Sequence, residues 1–102
     1  MKVEGIQVLA ALDETWLNLT DLCHLAGVTE VWVRDRMSDG LLVENTTIAV
    51  DAFHFSASDL GRAKRMAQLE QNFDAVPELA ALVVDLELEL AALRARLWNL
   101  KK

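Results

Sequence analysis

The strongest constraint on the fold lies toward the C-terminal end. Val76, Leu79, Val83, Leu86, Leu90, Leu93, Leu97 and Leu100 recur at alternating spacings of three and four without a polar interruption. An α-helix gathers such positions on one side, and the run has the a and d pattern of a coiled-coil seam. Pro77 suits the first turn of this helix, where its missing N–H would have no acceptor in any case. A second apolar stripe, Val84, Leu88, Ala91, Ala95 and Trp98, lies on another side. Water cannot satisfy both, so one stripe is expected to cover the chain's own domain and the other a partner.

Charge points to what that partner is. Glu87 and Glu89 precede Arg94 and Arg96 by five to nine residues, too far for pairs four apart on an isolated helix. Two such helices laid antiparallel set Glu87 against Arg94 and Glu89 against Arg96 of the neighbour. A homodimer is therefore expected, with Val83, Leu86, Leu90, Leu93 and Leu97 in its interface. The alternative is a helix buried in its own small core.

Upstream, short apolar runs are broken by turn and cap residues. Residues 3–12 read as a strand that ends at Asp13-Glu14 and returns through residues 15–18. Thr20 is the expected N-cap of a helix over residues 21–26, with Leu22, Cys23, Leu25 and Ala26 inward, and Gly27 supplies the turn. Thr29 caps a second helix, residues 30–38, in which Trp32, Val33, Arg36 and Met37 share a side; Gly40 is its left-handed stop. Two short helices joined by a glycine turn make a helix-turn-helix. The apolar runs at residues 41–43 and 48–50 flank a polar turn at 44–47, and residues 51–55 add an extended piece, so a small β wing is predicted. Ser56 and Asp59 form a capping-box pair that opens a helix to about Phe73. The chain thus reads as a mainly α single domain, residues 1–102. It divides into an acidic winged helix-turn-helix (1–55), a post-wing helix (56–76) and a long C-terminal helix (77–102).

With 53% hydrophobic and 25% charged residues the composition is that of a folded domain. The net charge of −6 belongs wholly to residues 1–55, which hold nine acids against three bases; residues 56–102 hold seven of each. Apolar runs fall far short of the roughly 20 residues that span a bilayer. The N-terminus lacks the layout of a secretory signal, and one cysteine makes no internal disulfide, so a cytoplasmic protein is expected.

Nothing in the sequence assembles catalysis. Cys23 and His24 are adjacent on a helix and point about 100° apart, which is no dyad. Two histidines and one cysteine give no zinc spacing, and the glycines stand singly, outside any phosphate-binding loop. No metal, cofactor or enzymatic activity is expected. His54 alternates outward between Phe53 and Phe55. DNA binding is the competing reading of a winged helix-turn-helix, but it requires bases that neutralise phosphate. The would-be recognition helix offers Arg34 and Arg36 against Glu30, Asp35 and Asp39. The one basic cluster, Arg62, Lys64 and Arg65, falls on the post-wing helix and reads as a solvated face.

Residues 22–42 resemble the start of MerR-type regulators, G-V-[ST]-x-x-x-L-R-Y-Y-x-x-x-G-L-[LI], through Gly27, Val28, Thr29, Arg34, Gly40, Leu41 and Leu42. Asp35-Arg36 replaces the tyrosine pair that helps those regulators grip DNA. Over nearly its whole length the chain is similar to the CbpM group of chaperone modulators. That likeness adds Phe55-Ser56, the Arg62–Arg65 run, and the track through Ala81-Leu82, Asp85-Leu86, Glu89-Leu90 and Leu93–Leu97. The resemblance implies a MerR-like winged helix-turn-helix that binds the J-domain of a CbpA- or DnaJ-like co-chaperone and inhibits it in competition with DnaK. The candidate contacts are the acids Asp21, Glu30, Asp35 and Asp39, with Trp32 either an interface anchor or buried against the wing. A MerR-like DNA-binding regulator is the alternative, and an adaptor for another protein a third.

Overall fold

The computed structural model describes residues 16–43 and 52–101, and over these the chain is mainly helical. Four helices follow one another: α1 (Leu19–Ala26), α2 (Glu30–Ser38), α3 (Ala57–Phe73) and α4 (Pro77–Lys101).

Most boundaries are set by local caps. Helix α1 starts two residues earlier than Thr20 would place it, because Asn18 is the N-cap and its side chain accepts the Asp21 backbone N–H at 2.8 Å. Gly27, at φ 72°, closes α1, with the N–H groups of Gly27 and Val28 both returning to the Cys23 carbonyl. Thr29 caps α2 as the sequence predicts, accepting the Trp32 N–H at 3.1 Å. Gly40 stands in the same left-handed conformation just beyond α2, where Leu41 N–H reaches back to the Arg36 carbonyl. At α3 both halves of the capping box form: Ser56 Oγ accepts the Asp59 N–H, and the Asp59 carboxylate accepts the Ser56 N–H. Asp74, at φ 53°, ends α3 and begins the short link to α4; aspartate is one of the few side chains that tolerates this conformation.

The opening strand at 3–12, its turn, and the middle of the expected wing at 44–51 lie outside the described residues. Of the wing's flanks, residues 41–43 form a bend rather than a strand. Among the described residues, extended pairing is limited to one antiparallel bridge between Leu17 and Phe55, which exchange backbone hydrogen bonds of 2.8 and 2.7 Å.

Apolar burial falls into two adjoining clusters. The first gathers Leu19, Leu22 and Ala26 of α1, Val33 and Met37 of α2, and Leu60 and Ala63 of α3 around Phe55, Leu17 and Leu42. The second joins Met66 and Leu69 of α3 to Ala80, Ala81 and Val84 of α4. Helix α3 is thus common to both, and Trp32 of α2 packs against both. Leu25, expected inward, is instead 45% exposed: α1 turns Leu22 and Ala26 to the core, and a residue three beyond one and one before the other falls at the edge of that face. Phe53 is half-buried beside Phe55, their ring centroids 4.8 Å apart, while His54 is exposed.

Phe55 is fully buried and belongs to the largest cluster. Phe55→Ala should cost about 3–5 kcal/mol in urea unfolding. Phe53→Ala should cost distinctly less, and equal losses would contradict this division of the two rings.

Candidate interaction surfaces

The geometry of α2 follows from one carboxylate on α3. Arg36 grips Glu70 with two donors, Nε to one carboxylate oxygen at 3.0 Å and a terminal nitrogen to the other at 2.6 Å. Trp32 Nε1 donates to the same carboxylate at 3.0 Å. Trp32 and Arg36, four residues apart, stack on the same side of α2, and the guanidinium carbon lies 4.9 Å from the indole centroid. The ion pair is well shielded, with side-chain exposures of 12% for Arg36 and 14% for Glu70. Desolvation alone would push the Glu70 carboxyl up, but hydrogen bonds from Arg36 and Trp32, with the Arg36 charge, hold it below the usual carboxylate range.

Trp32 is therefore half-buried and engaged. The indole lies against α3 and packs on both apolar clusters; the middle of the wing, against which the sequence allowed it to be buried, lies outside the described residues. The four acids singled out from the sequence are all exposed, and they are spread over two helices and a cap. Asp35 on α2 and Asp39 at its C-cap stand on nearly the same side, four residues apart. Glu30 lies roughly 140° around α2 from Asp35, within 3.9 Å of Arg34. Asp21 belongs to the first turn of α1. Val31, 66% exposed, stands four residues before Asp35 and shares its outward side. Neither Val31 nor Leu25 was legible as surface, since an apolar residue on a short helix ordinarily reads as core.

Arg62 and Arg65, expected on a solvated face, are engaged. Arg62 Nε donates to the Leu41 carbonyl at 2.7 Å and a terminal nitrogen donates to Asp85 at 2.7 Å. Arg65 forms a fork onto Glu87, at 2.7 Å for the closest contact. Hydrogen bonds from Arg65 lower the Glu87 pKa, against a smaller opposing effect of desolvation. Lys64 between them is exposed. Two clefts flank these pairs. One, of about 410 Å³, lies among residues 40–43, Asp59, Arg62 and Asp85; the other, of about 430 Å³, runs between α3 and α4 past Gly61, Val84 and Leu88. Their acids and bases are matched to one another or, for Asp59, used in the cap. Cys23 is half-buried, with its thiol pushed up mainly by desolvation and next by Glu30, which disfavours the reactive thiolate. No group of three metal-ligating side chains occurs among the described residues.

Helix α4 meets α3 only along its first part. Ala80, Ala81 and Val84 are buried, Val83 is half-buried, and every residue from 85 to 100 is exposed. The stripe containing Val84 is therefore the one that faces the chain's own domain. Its continuation through Leu88, Ala91, Ala95 and Trp98 runs beyond that cover, Leu88 and Trp98 each at 62% exposure. The other stripe is open along most of its length, with Leu86, Leu90, Leu93 and Leu97 between 48% and 59% exposed.

Removing the Glu70 charge tests the brace. A depressed carboxyl pKa contributes stability that is present above the unfolded value, about 4.3, and is lost as pH falls through the folded value. Glu70→Gln should therefore destabilise by roughly 1–3 kcal/mol at neutral pH, the range for orphaning charged partners. The gap to the parent should shrink as the melt is moved below pH 4.3; a gap independent of pH would remove the ion pair from the account. Compared with protein families, curated proteins and solved structures, the chain matches none.

Proposed function

We propose that the chain is a protein-binding module without catalytic turnover, a chaperone modulator that occupies the J-domain of a CbpA- or DnaJ-like co-chaperone and keeps DnaK from it. The observation that carries this reading is the way α2 uses its charges. Of its two arginines, Arg36 is bound into Glu70, and Arg34 lies beside Glu30. The acids Asp35 and Asp39 stand exposed, next to exposed Val31. A helix presenting these groups would repel phosphate, so the geometry disfavours a MerR-like reader of DNA.

The same face suits a basic helix, which is what the resemblance gives the J-domain. Complementary potential speeds association and discriminates against wrong partners, and an apolar residue among the acids supplies area to exclude water. Of the bases on α3, Arg62 and Arg65 are paired with Asp85 and Glu87, and Lys64 is exposed. A wing completing a MerR-like winged helix-turn-helix, and a cytoplasmic setting with the co-chaperone, belong to the same reading. Among the described residues, no helix is long and apolar enough to cross a membrane.

The test is binding measured beside DNA retention. The chain should bind an isolated J-domain in calorimetry and leave genomic DNA fragments unshifted in a gel. Asp35→Lys with Asp39→Lys should weaken J-domain binding on the order of tenfold or more. Unchanged affinity would take those two acids out of the contact. A DNA shift without J-domain binding would replace this reading with the regulator.

A further inference from the structure

Helix α2 is held to the rest of the chain along two lines. Val33 and Met37, four residues apart, are the side chains it buries in the core. Trp32 and Arg36, also four apart, form the second line, roughly 100° around the helix, and both end on the Glu70 carboxylate. Apolar contact along one line is non-directional and lets a helix roll about it. Hydrogen bonds on a second line are directional and remove that freedom. Exposed Val31 and Asp35 lie roughly 100° beyond the second line, on the side away from the core.

We infer that Glu70 is a positioning residue for partner recognition: without touching the partner, it sets through Trp32 and Arg36 the rotation at which α2 presents Val31, Asp35 and Asp39. This rests on the reading of that face as the J-domain contact. A helix with its side chains is roughly 10–12 Å across, so a roll of about 20° carries a side-chain tip about 2 Å around the axis. Charge-assisted hydrogen bonds span only about 0.2 Å in length, so a displacement of this size breaks contacts that the same residues make at the correct rotation.

Positioning and simple charge predict opposite signs at Arg36. Removing a positive charge from an acidic face strengthens the long-range attraction for a cationic partner, whereas loosening the grip on Glu70 weakens the contact. Arg36→Gln makes that comparison. Arg36→Lys keeps the charge but meets Glu70 as a point charge without the planar fork. Arg36→Met with Glu70→Met removes one base and one acid, so the net charge stays at −6. It also replaces a shielded ion pair by apolar volume, an exchange that ordinarily leaves stability close to the parent's or above it.

The experiment is calorimetry of the full chain with an isolated J-domain, beside urea unfolding and thiol labelling. All three variants should bind about tenfold more weakly, Arg36→Gln included, although it makes the face more acidic. Phe53→Ala, which destabilises without altering the brace, should bind as the parent does. Rotation is read without any partner, in a Cys23→Ser background. Val31→Cys should react quickly with iodoacetamide and Val33→Cys slowly, as native exposures of 66% and 0% require. In the paired methionine variant the ratio of the two rates should fall about fivefold or more, with the urea midpoint near the parent's. Parental affinity in Arg36→Lys and the paired methionine variant, tighter binding by Arg36→Gln, an equal loss in Phe53→Ala, or an unchanged labelling ratio would each overturn the role given to Glu70. A parent that binds no J-domain would instead overturn the reading on which that role rests.

Discussion

Glu70 projects from the side of α3 that otherwise carries the buried Ala63, Met66 and Ala67, and a carboxylate there survives only because its charge is answered. Two arginine donors and the indole N–H of Trp32 supply the answer, all from one helix. Since Trp32 and Arg36 are four residues apart, satisfying Glu70 fixes the rotation of α2 about its own axis. Val33 and Met37 then turn into the core, and Val31 and Asp35 turn to water. Apolar residues of similar volume could hold the helices together as strongly, because a shielded ion pair carries a desolvation penalty. They would not specify the rotation so narrowly. The face that α2 turns to water is a consequence of this carboxylate.

What could be read from the sequence was mostly local. The Ser56 and Asp59 box, Thr29, Gly27, Gly40 and Pro77 mark helix boundaries because a cap acts over three or four residues of chain. Asn18 displaced Thr20 because both are competent caps, and only the path of the backbone from the Leu17–Phe55 bridge decides between them. The contacts that went unread join residues far apart in sequence: Arg36 to Glu70, Arg62 to Asp85, Arg65 to Glu87. Helical periodicity assigns a face to a residue but not the neighbour opposite it. One signal was nevertheless present. Glu70 follows Ala63 by seven residues, which places an acid on the apolar side of α3, and a charge in that position calls for a buried partner.

Helix α4 presents the reverse case, a pattern that was clear in sequence and that the chain's own fold leaves partly unused. A domain of this size buries a modest fraction of its surface, and its second cluster ends at Val84. Beyond it the helix continues for several turns with leucine on one side and a further apolar strip on another. Full burial of such a side chain contributes about 1.5–3 kcal/mol relative to exposure, so half-exposed leucines in series represent several kcal/mol that the isolated chain leaves unrealised. Contiguous apolar surface is uncommon on monomer surfaces, which is the ground for treating α4 as a candidate interaction surface.

The distribution of charge separates the two surfaces further. On α3 the arginines Arg62 and Arg65 pair with acids of α4, so each of these two bases is matched by an acid in joining the helices. On α2 the same kind of pairing removes Arg36 and leaves Asp35 and Asp39 in water. Each such pair removes one acid together with one base, so the net charge of −6 is left to the remaining side chains. Long-range attraction for a cationic partner then needs no dedicated acidic patch, because a field summed over the surface steers approach before any contact forms. On the proposed reading, short-range recognition falls to the few groups that the Glu70 brace holds in place. Steering and docking thus depend on different residues, so salt should act on the first and substitutions on α2 on the second.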